Sequence, residues 1–342
     1  MNLGPFILRR LALAVLVLFG LSMLIFVIAR VIPGDPARMA LGPRAPEYAI
    51  ESLRKQMNLD KPIYEQYYFW LRDFVTKGDL GFSLLTRRPV MEDIKEFLPA
   101  TLELVIVSAI FMATFGILLG VLAARFRDTW IDSLFRVIAY LGIATPSFVW
   151  LVLFILLFGY VWPILPAVGR VSKGIPLPPH ITGMVTLDAL LTGNWRTFWD
   201  TFLHLIMPGI ALAMGGLSQA ARITRSSMTD HMDKEYITLL TAYGVPGKII
   251  FMKYLLKNSL IPTVSILALD IAALFANAFI VEMVVSYPGL SNYGMKAILN
   301  KDLNAIVGVI MVLGIIYTSV TIIIDIIVAY LDPRIRLVKR AS

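Results

Sequence analysis

The sequence predicts an all-α polytopic membrane protein with six transmembrane helices and a long insert after the first of them. Of the 342 residues, 58% are hydrophobic and only 16% are charged, whereas soluble domains carry about 25% charged residues. The mean hydropathy is +0.77. The formal net charge of +8 fits the basic loops that membrane proteins keep in the cytoplasm. We therefore interpret it as a signal of orientation and not of nucleic-acid binding.

Six apolar runs justify the number of spans, because each has the length of a membrane-crossing helix, about 17 residues or more. The runs cover residues 11–29, 99–124, 131–160, 204–220, 263–285 and 305–330. The first is longer than the roughly 7–15 apolar residues of a cleavable signal peptide, so we expect it to remain as a helix. Closely spaced Arg and Lys residues border the segments that we assign to the cytoplasm, which predicts that both termini are cytoplasmic.

Two of these runs carry local features with a structural meaning. In the third run, Thr145-Pro146-Ser147 interrupts the helix, and Pro146 lacks a backbone donor. This predicts a kink, and a kink near the middle of a membrane often lines a cavity. In the second run, the spacing of Gly116 and Gly120 predicts the close approach of another helix.

The order of polar and apolar segments predicts three regions. Residues 1–30 form the N-terminal tail and the first span, residues 31–97 form an extracytoplasmic insert with helices at 47–58 and 63–75, and residues 98–342 form a five-helix core. The insert carries many basic residues, but loops longer than about 60 residues cross the membrane largely regardless of charge.

A polar stretch at residues 221–262 separates the fourth and fifth spans and is predicted to face a soluble partner. Its first part follows Asp233 and has apolar residues at helical spacing, and Gly244 and Pro246 end that helix. Its second part, residues 248–257, predicts a helix lying along lipid headgroups, with three basic residues on one side, Lys248, Lys253 and Lys257. Together they predict a docking element, and the alternative is a solvated loop with incidental amphipathicity.

A few polar residues within the spans are candidates for a translocation pathway. Asp270 lies in the middle of the fifth span, where a charge is costly, and Asn277 follows two helical turns later on the same face. Glu282 lies near the outer end of that span, and Pro146 lies at the break in the third. The alternative for each polar residue is a paired or hydrogen-bonded role in packing. The spans hold no series of carboxylates or histidines, so a proton-coupled carrier is disfavoured.

The chain lacks the sequence signatures of an enzyme or a metal protein. It has no cysteine and three histidines, which are far apart in the sequence. Gly247-Lys248 is followed by Ile249 instead of Ser or Thr, so it does not form a phosphate-binding loop. Neither Gly-x-Ser-x-Gly nor His-Glu-x-x-His occurs. We therefore expect no enzymatic activity, no metal and no cofactor bound by this chain, and the energy for any transport must come from elsewhere.

Motifs along nearly the whole chain carry a resemblance to a known family. They include Ile32-Pro33-Gly34-Asp35-Pro36, Gly78-Asp79-Leu80-Gly81, Leu98-Pro99-Ala100-Thr101-Leu102-Glu103-Leu104, Tyr287-Pro288-Gly289-Leu290 and Leu331-Asp332-Pro333-Arg334. In this order they resemble the inner-membrane permease subunits of ATP-binding-cassette (ABC) importers for dipeptides, oligopeptides and nickel, in the dipeptide and oligopeptide branch. The resemblance implies the type I ABC importer fold and a bacterial or archaeal cytoplasmic membrane as the location.

The resemblance also implies partners and a coupling site. The partners are a homologous second permease, two ABC ATPase subunits that use ATP and Mg, an extracytoplasmic substrate-binding protein and membrane lipid, with no nucleic acid. The residues expected to contact the ATPase are Glu235, Tyr236, Leu239, Leu240, Tyr243, Gly244 and Val245. The family usually has Ala-Arg-Ala-Lys-Gly where this chain has Leu240-Thr241-Ala242-Tyr243-Gly244, and Tyr254 replaces a frequent His. Two cations are thus absent from the expected contact.

The function predicted from the resemblance is ATP-driven import of dipeptides or oligopeptides by alternating access, with the insert as part of a dock or gate for the binding protein. One alternative is a permease of the same fold that imports oligosaccharides or nickel. The other is a membrane scaffold or receptor without transport. Asp270 favours a peptide, because a charged group in the pathway can hold a charged peptide terminus.

Overall fold

The computed structural model describes residues 3–31, 36–42, 44–56 and 58–331, and within these ranges the chain is helical, with a single isolated β-bridge between Phe82 and Pro89. Residues 32–35 of the predicted turn motif lie outside the described residues. The basic tail after Leu331, with Arg334, Arg336, Lys339 and Arg340, lies outside them as well.

Fourteen helices are present in the described part of the chain. They are α1 (Leu3–Val31), α2 (Pro36–Leu41), α3 (Glu47–Gln56), α4 (Ile63–Lys77), α5 (Val90–Arg125), α6 (Trp130–Ala144), α7 (Ser147–Phe154), α8 (Val185–Leu191), α9 (Trp195–Met232), α10 (Glu235–Ala242), α11 (Gly247–Ile249), α12 (Lys257–Val284), α13 (Leu290–Leu299) and α14 (Leu303–Leu331). Helix α7 continues as a π-helix (Ile155–Val161), and a second π-helix (Ile250–Leu256) joins α11 to α12.

The predicted six-span fold is confirmed. By length and composition, five helices in the described residues can cross a membrane, and α6 with α7 completes six when this pair, bent by 112°, counts as one broken span. This bend is sharper than the predicted kink. Helix α6 ends with the Thr145 N–H donating to the Leu141 carbonyl (3.0 Å), and α7 begins with Val149 donating to Pro146 (3.0 Å). Because Pro146 has no N–H to continue α6, the two segments are separate helices.

Three helices are longer than predicted, and each contains an interior proline. Pro99, Pro208 and Pro262 lie inside α5, α9 and α12, although the sequence had suggested span boundaries near two of them. Membrane helices tolerate interior proline where neighbouring groups satisfy the freed backbone atoms. The prediction of a separate surface helix at 248–257 is wrong. This segment runs through α11 and the second π-helix directly into α12. The helices predicted at 47–58 and 63–75 are confirmed as α3 and α4.

Helix α9 lies at the centre of the fold and packs against α5, α12, α6 and α7. Its contact with α5 is the closest, and it confirms the role predicted for the two glycines of α5. A Cβ atom on Gly116 would lie 2.8 Å from the Ala220 Cβ, and one on Gly120 would lie 2.6 Å from the Ala221 carbonyl oxygen. Both distances are below van der Waals contact, so the two backbones meet where only glycine fits.

The insert packs against α1 and against the segment that precedes α14. The Ser22 and Tyr67 hydroxyls lie 2.7 Å apart and join α1 to α4. Further along, the buried Asp302 carboxylate before α14 accepts hydrogen bonds from the Ser83 hydroxyl (2.6 Å) and the Leu85 N–H (3.0 Å). The last part of the insert is therefore fixed to the core, and the division of the chain at residues 30 and 97 stays a prediction.

We predict that Gly120→Ala destabilises the protein by about 1–3 kcal/mol, as overpacking usually does, because the new methyl group meets a backbone atom of α9 that cannot rotate away. The matched control is Gly20→Ala in α1, where a Cβ atom has no neighbour within 4 Å. Thermal unfolding of the purified assembly in detergent measures both. Equal melting temperatures for Gly120→Ala and Gly20→Ala would contradict the close approach of α5 and α9.

Candidate functional site

Helix α9 is longer than the membrane is thick, and the first candidate site follows its projecting end. Its 38 residues correspond to about 57 Å at 1.5 Å per residue, whereas the hydrocarbon core is about 30 Å thick. Helix α10 follows after two residues. We call residues 233–246 the α10 segment.

The α10 segment ends in a Schellman motif. The Gly244 N–H donates to the Thr241 carbonyl (3.0 Å), and the Val245 N–H donates to the Leu240 carbonyl (3.1 Å). This arrangement places Gly244 in the left-handed region with φ of +73°, where residues with a Cβ atom are strained and glycine is not. No atom lies within 4 Å of a Cβ built on Gly244. Glycine is therefore required at position 244 by the backbone conformation, and not by a lack of space for a side chain.

The apolar side chains of α10 are uncovered in this chain. Leu239 is 56% exposed and Tyr243 is 78% exposed, and none of the residues of α10 is buried. Glu235 is exposed as well, whereas Tyr236, Leu240 and Val245 are partly buried. An exposed apolar face at the tip of a projecting helix is typical of a protein contact.

The α10 segment is joined to the membrane helices by packing and by charge. Met228, Ala124 and Leu255 form a buried cluster that connects α9, α5 and the second π-helix. The Arg127 guanidinium donates to both Asp233 oxygens, at 3.1 and 3.0 Å, and so ties the turn after α5 to the start of the α10 segment. The ion pair therefore ties the α10 segment to the turn after α5, and the cluster holds the end of α9, which precedes the segment, against α5 and the second π-helix.

The candidate pathway residues occupy different environments. Asp270 is partly buried, packs near Gly216 of α9, and has one carboxylate oxygen, Oδ2, that is buried without a hydrogen-bond partner. Asn277 is exposed on the same helix, and its amide donates to the Ala273 carbonyl (3.2 Å). Pro146 is exposed at the sharp bend between α6 and α7. The structure does not bring these three together with Glu282, and their role in a pathway stays a prediction.

Glu282 is fully buried among groups of its own chain. Its carboxylate accepts hydrogen bonds from the Thr101 hydroxyl (2.6 Å) and the Asn292 N–H (2.9 Å). A Cβ atom on Gly289 would collide with this carboxylate, so the turn before α13 passes directly over it. Glu282 thus holds α5, α12 and α13 together at the end of the bundle opposite the α10 segment.

A second buried carboxylate, Glu103, fixes the loop between α7 and α8. It accepts hydrogen bonds from Arg170 Nε (2.9 Å) and Nη2 (2.6 Å), from the Thr186 N–H (2.5 Å) and from the Tyr287 hydroxyl (2.9 Å). Burial, together with the negative charge of Glu103, raises the pKa of Tyr287 well above its ordinary value. Tyr287 therefore keeps its proton and remains a hydrogen-bond donor.

Asp188 organises the same loop through backbone groups. Its carboxylate accepts from the N–H groups of Ile181 (3.2 Å), Thr182 (2.8 Å) and Gly183 (3.0 Å), and the Gly183 carbonyl accepts from Arg170 (2.9 Å). Burial acts to raise the pKa of Asp188, but the hydrogen bonds from Thr182 and its neighbours hold it below its ordinary value. The loop is therefore connected to α5 through charged groups.

Sequence reasoning assigned no role to Arg170, Glu103 or Asp188, and two signals were present. Glu103 and Tyr287 lie within motifs that carry the family resemblance, and Arg170 and Asp188 lie in a segment that was predicted only as an external loop. Within the described residues, no group of three or more His, Asp or Glu side chains is placed to hold a metal ion.

Comparison with known proteins agrees with this architecture. Residues 116–337 match the family model described as "Binding-protein-dependent transport system inner membrane component". Residues 3–105 match the model described as "Binding-prot-dependent transport system membrane comp, N-term". The chain belongs to the family of binding-protein-dependent transport system inner membrane components. It is a multi-pass permease subunit of a transport system with the type I importer fold, and it is not an enzyme.

Several relatives are similar over nearly their whole length. The chain is 39% identical over 323 residues to the probable D,D-dipeptide transport system permease DdpB of Escherichia coli K12, with 94% of each chain covered. It is 36% identical to the dipeptide permease DppB of Alkalihalophilus pseudofirmus, covering 96% of this chain and 98% of that protein. It is 34% identical to the di/tripeptide permease DppB of Pseudomonas aeruginosa, covering 97% and 98%.

We predict that acid loosens the loop that Asp188 holds. Because the folded-state pKa is lowered, the carboxylate contributes its full stabilisation above the ordinary aspartate pKa of about 3.9, and this contribution is lost as the pH falls through the lower folded-state pKa. Hydrogen exchange of the Ile181, Thr182 and Gly183 amides, corrected for the intrinsic effect of pH, should show falling protection below about pH 4.

The control for this experiment is Asp188→Asn, which cannot titrate. Its amides should be less protected at neutral pH, because the Asn side chain has one acceptor oxygen and two N–H donors. Their protection should not fall further in acid. The same acid sensitivity in Asp188→Asn and the wild type would assign the effect to other groups.

Proposed function

We propose that this chain is one of two homologous permease subunits of an importer for dipeptides or short oligopeptides. An extracytoplasmic binding protein delivers the peptide, and two separate ATPase subunits use ATP and Mg²⁺, one of which binds at the α10 segment of this chain. The observation that carries the proposal is the uncovered apolar face of α10 at the end of the projecting α9. In this arrangement the α10 side of the membrane and both termini are cytoplasmic, and the insert is external.

The contact with the ATPase is mainly apolar in this proposal. Residues 240–244 contain no cation, so the side chains available for docking are Leu239, Tyr243 and the partly buried Val245. Full burial of a large apolar side chain contributes about 1.5–3 kcal/mol. A few such side chains give enough binding free energy to hold α10 in a groove while the ATPase closes and opens.

Coupling requires that the membrane helices respond to the position of α10. A ligand shifts a conformational equilibrium only by its difference in affinity for the two states. ATP meets this condition if it favours the closed ATPase and if the closed ATPase moves α10 relative to the bundle. The Arg127–Asp233 ion pair supports this step because it connects the α10 segment to the turn after α5, and the Tyr236 hydroxyl lies 3.1 Å from His231 Nδ1 of α9.

The proposed substrate class rests on the named relatives and on Asp270. All three relatives described above are named for peptides of two or three residues. A carboxylate at mid-depth in a span is costly, and Asp270 has an oxygen without a partner. A peptide passing this level offers a terminal ammonium group that can pair with it.

We predict that Gly244→Val abolishes peptide uptake and peptide-stimulated ATP hydrolysis in reconstituted vesicles, while the subunits still assemble. A β-branched residue cannot adopt φ of +73° without strain, so the end of α10 must change. The matched control is Gly244→Asn, because asparagine tolerates the left-handed region, and it should retain most of the uptake. Undiminished transport by Gly244→Val would contradict the coupling role of α10.

We predict that Asp270→Asn raises the KM for a radiolabelled dipeptide by about tenfold, which corresponds to the loss of about 1.4 kcal/mol of binding. ATP hydrolysis without peptide should be unchanged. Ser265→Ala is the control, because the Ser265 hydroxyl already donates to the Ile261 carbonyl within α12 (3.0 Å). Excess unlabelled oligosaccharide or nickel should not compete for uptake. Competition by either would replace the peptide with that substrate, and an unchanged KM in Asp270→Asn would remove Asp270 from the pathway.

A further inference from the structure

A cleft of about 210 Å³ lies between α5, α6 and α9, and none of the candidate pathway residues lines it. Leu119 and Ala123 line it from the last two turns of α5, within about 9 Å of the end of that helix at 1.5 Å per residue. Phe135 and Ala139 line it from α6. The cleft is therefore at the level where the chain leaves the membrane on the α10 side.

The cleft is positively charged. Arg136, Arg222 and Arg225 line it, and none of its lining residues is acidic. The buried Asp132 behind it accepts from Arg225 at 2.5 and 2.6 Å and lies 3.8 Å from Arg136. One carboxylate thus serves two guanidinium groups. Arg222 is exposed and forms no ion pair with another residue in the described ranges.

A buried hydroxyl in the same cleft lacks a partner. Ser218 is 1% exposed and lines the cleft, and its Oγ has no hydrogen-bond partner in the described structure. Helix α6 comes so close here that a Cβ atom on Gly142 would collide with this hydroxyl. A buried donor without an acceptor is unfavourable, so an anionic oxygen in the cleft would satisfy it.

An apolar surface leads away from the cleft along α6. Val137 is 54% exposed and Leu141 is 53% exposed, one turn apart on the helix. Trp130, which is 74% exposed, begins α6 and marks the membrane interface, where tryptophan is enriched. The cleft volume of about 210 Å³ is many times the roughly 10–15 Å³ that one water molecule needs on the same measure. It is sufficient for a phosphate headgroup, and acyl chains would extend along α6.

We propose that this cleft binds the phosphate headgroup of an anionic phospholipid from the leaflet on the α10 side. Arg136 and Arg222 hold the phosphate, the Ser218 hydroxyl donates to one of its oxygens, and the acyl chains lie against Val137 and Leu141. The lipid fills the angle between α6 and α9 next to the Arg225–Asp132 ion pair. Binding there would stabilise the contact between α6 and α9, and the α10 segment follows the end of α9.

The test uses the full transporter assembly, reconstituted in mixed bilayers of phosphatidylcholine and phosphatidylglycerol and then transferred to detergent for native mass spectrometry. The wild type should retain phosphatidylglycerol in preference to phosphatidylcholine. The double variant Arg136→Gln/Arg222→Gln should retain about thirtyfold less, as expected for the removal of two cations near a lipid surface. Ser218→Ala, which leaves the charge unchanged, should lower retention by about tenfold.

The control is Arg125→Gln, an exposed arginine at the end of α5 outside the cleft, which should retain the lipid like the wild type. Equal retention of the two lipids by the wild type would overturn the proposal, and so would unchanged retention in the double variant or in Ser218→Ala. Displacement of the lipid by millimolar inorganic phosphate would identify a free-anion site instead. Loss of the second permease from the double variant would identify a subunit interface instead.

Discussion

The close contact between α5 and α9 is the constraint on which the rest of the structure depends. Small residues on both helices, Gly116 and Gly120 on one side and Ala220 and Thr224 on the other, let the two backbones approach until no Cβ atom would fit. In a membrane this kind of packing matters more than apolar burial, because lipid tails are as apolar as the side chains and do not drive helices together. The α10 segment lies at one end of this helix pair, and the hydrogen-bond network around Glu103 lies at the other.

The buried charges of the bundle occur where they have partners. Glu103 has Arg170, Asp132 has Arg225, and Glu282 has the Thr101 hydroxyl and a backbone N–H. A buried charge that loses its partner is strongly destabilising, so such groups fix the geometry of the helices that carry them. Asp270 differs from these three, since one of its oxygens is buried without a partner. That difference, and not the presence of a carboxylate alone, is the reason why we propose Asp270, and not the other three, as a substrate contact.

Much of the fold follows from the sequence, because apolar length and glycine spacing are local properties of the chain. The six spans, the helices of the insert, the glycine contact of α5 and the family were all predicted. The helix ends were less predictable, since Pro99 and Pro262 lie inside helices, and only the tertiary environment decides whether an interior proline is tolerated. The 112° bend at Pro146 and the continuity of residues 247–284 also depend on packing. The partners of Glu103 come from segments 67 and 184 residues away, and no local pattern reveals such pairs.

The length of α5 and its close contact with α9 bear on how a movement passes across the membrane in the proposed transport cycle. From Glu103 to Arg125, α5 is about 33 Å long at 1.5 Å per residue, close to the thickness of the hydrocarbon core of about 30 Å. The glycine contacts at Gly116 and Gly120 prevent the helices from sliding past each other without a backbone clash. In the coupling that we propose, a force on α10 would therefore reach the Glu103 end as a rigid movement of the pair, without a relay of side chains through the membrane. The sharp bend between α6 and α7 is the natural place for deformation, because no helical hydrogen bond of α6 continues past Pro146.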